Sequence, residues 1–101
     1  MKEPRRPTHL PKEAKWNSQD EHWELGKYST KPKFKNVGAG EWKYWAKEGH
    51  LCCIAHFNDE GAQDGITERF HPDGTSASRG EWKNGNRNGH FVYIRSHHDT
   101  N

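Results

Sequence analysis

From Gly40 onward, apolar and polar residues alternate in short runs separated by glycine-bearing segments. Glu41–Trp45 and Leu51–Phe57 form one pair of runs, and Ile66–Phe70 and Ser76–Trp82 form another. Alternation of this kind marks a strand with one face turned to a core. Ala46-Lys47-Glu48-Gly49 separates the first pair and His71-Pro72-Asp73-Gly74 the second. Each segment puts glycine, which accepts positive φ at no steric cost, where a tight hairpin needs it. Pro72 fixes φ early in its turn and has no N–H to offer a ladder, so it cannot sit mid-strand. Asn84-Gly85 signals the link to a further hairpin. The pattern predicts an all-β chain of consecutive hairpins.

The hairpins are copies of one unit. The starts are Gly40, Gly65 and Gly89, 25 and then 24 residues apart. Counting each start as zero, glycine recurs at +9 (Gly49, Gly74) and a large ring at +17 (Phe57, Trp82). An apolar residue recurs at +5 (Trp45, Phe70, Ile94). The one-residue difference falls between Asn58–Gly61 and Lys83–Gly85, a turn, where changes of length are tolerated. An internal period of this size signals a repeat architecture.

Alternation assigns faces. Leu51, Cys53, Ala55 and Phe57 share one side of their strand, as do Ser76, Ser78, Gly80 and Trp82. One ring and several small residues per strand let a ring from a neighbouring hairpin lie over small side chains. The +5 and +17 positions are expected in the core. The +2 and +4 positions carry Trp42 and Tyr44, Thr67 and Arg69, then Phe91 and Tyr93. Aromatics and Arg are the residues most enriched at interface hot spots. This face is therefore either half-covered core or a contact surface, with Trp42, Tyr44, Arg69, Phe91, Tyr93 and Arg95 as its candidate partner-binding residues.

Residues 1–36 read differently. Pro4, Pro7 and Pro11 among charges suggest an extended arm. Trp16 and Trp23 are placed to anchor that segment on the domain. Lys27, Lys31, Lys33 and Lys35 mark a basic loop. The expected organisation is an arm and anchor segment over residues 1–36 and a hairpin domain over residues 37–101.

Composition sharpens this picture. Hydrophobic residues make up only 29% of the 101-residue chain and charged residues 30%. The five Trp, four Phe and three Tyr must replace the missing aliphatic core. Residues 1–36 hold nine Lys/Arg against five Asp/Glu, and residues 37–101 hold seven against nine. The hairpin region is thus mildly acidic, which argues against its tracking a phosphate backbone. No segment is apolar enough to span a membrane, and none near Met1 resembles a secretory signal. Cys52 and Cys53 are adjacent and point to opposite faces of a strand, so they do not pair with each other. Two reduced thiols fit a cytoplasmic protein.

The run G-x-W-x-x-[YW]…G-x-L…F-x-x-x-G…G from Gly40, with HPDGT and GEWKNG in the second unit, resembles the MORN-variant repeat. Its bacterial form is found in YwqK-type antitoxin and immunity-like proteins. The resemblance covers roughly Val37–Ser96, with a degenerate further unit around Trp16–Gly26. It implies hairpins stacked into a curved antiparallel sheet and a role in protein contacts. It brings no catalytic residues, because the motif positions are structural.

The residues capable of chemistry do not assemble into a known motif. Eight histidines and two thiols invite a metal, yet there is no Cys-x-x-Cys and no His pair at finger spacing. His71 and Asp73 flank Pro72 in a turn, where they serve the turn better than an acid–base pair that needs a pocket. The basic loop with Tyr28 and Phe34 reads as a solvated loop, or as a track for nucleic acid by cation and stacking contacts. No enzyme activity, cofactor, metal or small-molecule substrate is expected. The leading expectation is a cytoplasmic protein-binding module, an immunity protein or antitoxin that sterically neutralises a bacterial toxin. The alternative is a scaffold or accessory subunit of a larger complex that meets nucleic acid through its basic arm.

Overall fold

A computed structural model describes residues 4–93 of the chain. They form seven strands: β1 (Lys15–Asn17), β2 (His22–Tyr28), β3 (Gly38–Trp45), β4 (Leu51–Phe57), β5 (Gly65–Phe70), β6 (Ser76–Lys83) and β7 (Asn86–Tyr93). The strands lie in sequence order in one antiparallel sheet. The sheet is open and curved, as expected for stacked hairpins. Its extents of 52 × 39 × 21 Å are those of a slab rather than a sphere.

The turns explain the order. Ala46 N–H donates to His50 O (2.9 Å) and Gly49 N–H to Ala46 O (2.9 Å). His71 and Gly74 make the same two bonds with Thr75 and His71, at 2.8 and 2.9 Å. Asn58, Gly61 and Ala62 repeat the pattern between β4 and β5. In each case the glycine sits at positive φ: 110° at Gly49, 88° at Gly61 and 93° at Gly74. Between β6 and β7, Asn84 (φ 50°) and Gly85 (φ 88°) form the two-residue turn with both φ values positive that suits a hairpin's twist.

Register decides which residues share a face, because cross-strand partners point the same way. In β3–β4 the pairs are Gly40–Phe57, Trp42–Ala55 and Tyr44–Cys53. The register then shifts, and Trp45 pairs with Leu51. Cys52 is the extra residue of a bulge. In β5–β6 the pairs Gly65–Trp82, Thr67–Gly80 and Arg69–Ser78 are followed by the same shift to Phe70–Ser76, with Ala77 as the extra residue. A bulge moves every later side chain to the other face. Leu51 therefore lies with Trp45, while Cys53, Ala55 and Phe57 lie with Trp42 and Tyr44. The expectation that Leu51, Cys53, Ala55 and Phe57 share one side is corrected by this bulge.

One face is sealed at its N-terminal end. Trp23 pairs with both Trp16 and Trp45 and is fully buried, at 0% exposure. Leu10 and Ala14 close over Trp23 and Trp45, with Trp16, Leu25 and Leu51 packed around them. The Trp16 and Trp23 rings meet edge to face at 5.3 Å. Burying a ring of this size contributes roughly 4–6 kcal/mol by area. The arm is held by Arg6, whose guanidinium donates to Pro11 O (3.1 Å) and Ala14 O (2.6 Å) and lies 4.9 Å over the Trp23 ring. The His9 ring nitrogen Nε2 is hydrogen-bonded to Gly49 O at 2.7 Å. The sheet runs through the expected boundary at residue 36, since β2 pairs with β3. Residues 4–14 carry no strand and fold across the sheet through turns at Leu10 and Ala14.

Candidate functional site

The opposite face has no arm over it among the described residues. It carries a row of rings. Tyr28 meets Trp42 edge to face at 5.5 Å, Trp42 stacks on Tyr44 at 6.3 Å, and Tyr44 meets His22 at 4.9 Å. At the far end Trp82 meets Phe91 edge to face at 5.6 Å, and the Arg87 guanidinium lies 4.2 Å over Phe91. Phe57 stands between the two groups.

Small residues make room for the rings. Trp42 lies so close over Gly26 that a Cβ there would stand 2.0 Å from the indole. Phe91 lies over Gly80 in the same way, with a would-be Cβ at 2.4 Å. Each glycine is followed two residues later by the ring that meets the first edge on: Tyr28 for Trp42, Trp82 for Phe91. A ring-on-glycine clasp thus occurs at both ends of the sheet. In the middle, Thr67 and Ala55 occupy the corresponding positions, and there is no clasp.

The candidate contact residues fall into three groups. Trp42 is buried, at 7% exposure, and its indole N–H donates to Lys27 O at 3.0 Å. Tyr44 and Phe91 are half-buried. Arg69 is exposed, and Tyr93 is 66% exposed. All five share this face. Arg95, like the apolar residue Ile94, lies outside the described residues. The expectation that +17 belongs to the other face does not hold: Phe57 and Trp82 pair with Gly40 and Gly65 and join the rings. Tyr28 and Arg87 complete the face; Tyr28 was expected in the basic loop rather than on this face, and Arg87 was not singled out from the sequence. Arg87 is recognisable only once the Trp82–Arg87 pair across the β6–β7 turn is known.

Two shallow clefts open between the rings. One, of about 310 Å³, is lined by Tyr28, Trp42, Tyr44 and Phe57 with Glu24, Val37, Gly38 and Gly61. The other, of about 420 Å³, lies over β5–β7 and includes Thr67, Arg69, Trp82, Arg87, Phe91 and Tyr93.

Burial and close contacts act on several of the side chains around Tyr44. Burial, with the nearby Glu24 charge second, pushes the Tyr44 phenol up to about 12. His22 Nε2 meets Glu24 Oε1 at 2.8 Å, and Asn17 donates to the same oxygen at 3.2 Å. Burial also pushes both thiols up, with Arg69 partly opposing this at Cys53. Thiols shifted this way are poor nucleophiles at neutral pH. Among the described residues no group of three or more His, Cys, Asp or Glu side chains is placed to hold a metal. Thr75 donates twice to Asp73 Oδ1, at 3.0 and 2.6 Å, so Asp73 is part of the turn's own bonding.

The basic segments are partly committed to the fold. Arg6 holds the arm, and Lys31 forms an ion pair with Glu60 at 3.2 Å. Among the described residues no helix is long and apolar enough to cross a membrane. Comparison with protein-family models, curated proteins and solved structures gives no match. The functional reading therefore rests on the chain's own sequence pattern and geometry.

Proposed function

We propose that this chain is a small protein-binding module that receives its partner on the ring face of the sheet. The observation that carries this reading is the contrast between the two faces: the arm seals one at its N-terminal end, and the ring face has no such cover among the described residues. The arm covers the Trp16–Trp23–Trp45 cluster, whereas Tyr28, Tyr44, Phe57, Phe91, Tyr93 and two arginines are left without a covering layer among the described residues. Rings and guanidiniums on a rigid scaffold are the composition of a hot-spot patch. The matching turns, matching bulges and recurrent ring-on-glycine clasps support a MORN-variant-like repeat.

The partner class we propose is a bacterial toxin, with this chain as its immunity protein or antitoxin. Neutralisation is steric. The ring face covers the toxin's active site, with ring burial supplying affinity and rim charges supplying specificity. The test is co-expression with the product of the neighbouring gene, followed by purification of the complex and a growth assay. A stable complex and rescued growth are expected. Tyr93→Ala on the ring face should weaken the complex by at least about tenfold, the scale of a modest hot spot. Arg79→Ala, on the opposite face, should leave it unchanged. Absence of both complex and rescue overturns the antitoxin reading. Equal sensitivity of the two faces overturns the choice of surface.

A further inference from the structure

The cleft over β5–β7 differs from the rest of the sheet in its charge. It contains two guanidiniums, Arg69 and Arg87, and no carboxylate among its described lining residues. Arg69 pairs across the strands with Cys53 and Ser78, both uncharged at neutral pH. None of the ion pairs among the described residues involves Arg69 or Arg87. The opposite face of the same strands is balanced, with Glu68 directly across from Arg79.

Arg87 is also held ready. Phe91 supports its guanidinium from one side at 4.2 Å, and Nη2 donates to the Tyr93 hydroxyl at 3.0 Å. A guanidinium fixed by stacking and one hydrogen bond has little freedom left to lose on binding. Its remaining N–H groups match the two oxygens of a carboxylate. Trp82 and Phe91 form an apolar wall beside it.

We propose that this cleft is the recognition site for an acidic, partly apolar segment of the partner protein. Carboxylates of that segment meet Arg69 and Arg87, and an aliphatic or aromatic neighbour lies on Trp82. The proposal rests on the reading of the ring face as a protein-contact surface. A phosphodiester backbone is the other polyanion to weigh. Two cations in a region whose sequence from 37 to 101 holds more acids than bases are too few to follow one.

The experiment pans a phage-displayed library of random dodecapeptides on the immobilised full chain. It is repeated on an Arg69→Gln/Arg87→Gln double variant. Both side chains are exposed, and Arg87 gives up one ring contact and one hydrogen bond, so the variant's melting temperature is measured alongside and the panning is run well below it. Enrichment of peptides rich in Asp and Glu with an apolar residue among them is expected, and the variant should not enrich them. Synthetic versions should lose about tenfold in affinity on either single Arg→Gln change, the scale of one charge-assisted hydrogen bond. Arg79→Gln should change nothing. Absence of enrichment, enrichment without acidic bias, or retention by the double variant overturns the proposal. Tighter binding of an oligodeoxythymidylate than of any peptide, lost in the same variant, also overturns it in favour of nucleic acid. A partner complex that survives both Arg→Gln changes but is lost on Tyr93→Ala sinks the charge inference and leaves the binding-module reading standing.

Discussion

Gly26→Ala should be among the most damaging single-methyl changes in this chain, and its cost can be worked from the geometry. A Cβ at Gly26 would stand 2.0, 2.2 and 2.4 Å from Cδ2, Cε2 and Cγ of Trp42. These are ring atoms, not the end of a flexible chain, so no small rotation relieves the overlap. The indole is tied to Lys27 O, abuts Tyr28, and has Gly38 beneath its other end, where a Cβ would stand at 2.9 Å. The ring must leave its seat. Removing a packed aromatic side chain outright costs about 3–5 kcal/mol, and the lost indole hydrogen bond adds about 1 kcal/mol. A displaced ring recovers part of its burial elsewhere, and alanine is better than glycine in a strand by up to about 1 kcal/mol. The net expected loss is about 3 kcal/mol, or a fall in Tm of roughly 12–24 °C for a domain of this size. Thermal and urea unfolding of Gly26→Ala, Trp42→Ala and the double variant measure it. If the cost is the clash, Gly26→Ala on the Trp42→Ala background should cost under about 0.5 kcal/mol, giving a coupling of roughly 2–3 kcal/mol. Additive costs, or a wild-type-like Gly26→Ala, would refute the reasoning.

Three further outcomes follow from the same structure. Arg6→Ala should destabilise by about 1–2 kcal/mol in urea, since two carbonyl contacts and a ring contact are lost, and a blue-shifted Trp emission in this variant should move toward that of exposed indole. Tyr44 ionises near 10.0 when unfolded and is pushed up to about 12 in the fold; its neutral form therefore stabilises the sheet fully below pH 10, and that contribution is lost as pH rises toward 12, so Tyr44→Phe should flatten the alkaline loss of stability across this window. Because burial raises both thiols, iodoacetamide should modify Cys52 and Cys53 more slowly than an unfolded control at neutral pH, with a rate that climbs at higher pH than for free cysteine; modification at the control's rate would contradict the burial.

The strands and turns were legible because their signals are local. Glycine at +9 and the Asn84-Gly85 pair each dictate backbone that few other residues adopt, and the observed strands begin and end within a few residues of the alternating runs. The face assignment was not legible, because it turns on one unpaired residue. Cys52 and Ala77 have no distinguishing chemistry, and nothing in a run such as LCCIAHF says that its phase is broken after the first residue. The bulge follows from the closing pair of each hairpin, Trp45–Leu51 and Phe70–Ser76, which is a property of two strands together. For the same reason the +17 rings were expected on the wrong face. The weight of the N-terminal segment was underread as well. Trp16 and Trp23 stood out as anchors, but that Trp23 is the fully buried centre of the core depends on Leu10, Ala14 and Arg6 folding back over it.

The two faces divide the work in a way that a thin sheet requires. A single layer cannot bury both of its sides with its own strands, and among the described residues one short arm is available to cover it. Placing that arm on the Trp cluster makes that face the source of stability and leaves the ring face to stabilise itself. It does so by seating Trp42 and Phe91 on glycines, which brings aromatic carbon against backbone without a second layer. The same device keeps the rings flat and fixed, as a preorganised contact surface needs. A gradient follows along the face. Trp42 is nearly out of reach of solvent and belongs to the fold, while Tyr93, Arg69 and Arg87 are exposed and, on the proposed function, are the side chains offered to the partner. Stability should therefore respond at the rings seated on glycine, Trp42 and Phe91, and binding at the exposed Tyr93, Arg69 and Arg87, and separating the two responses is what distinguishes a contact surface from an incompletely covered core.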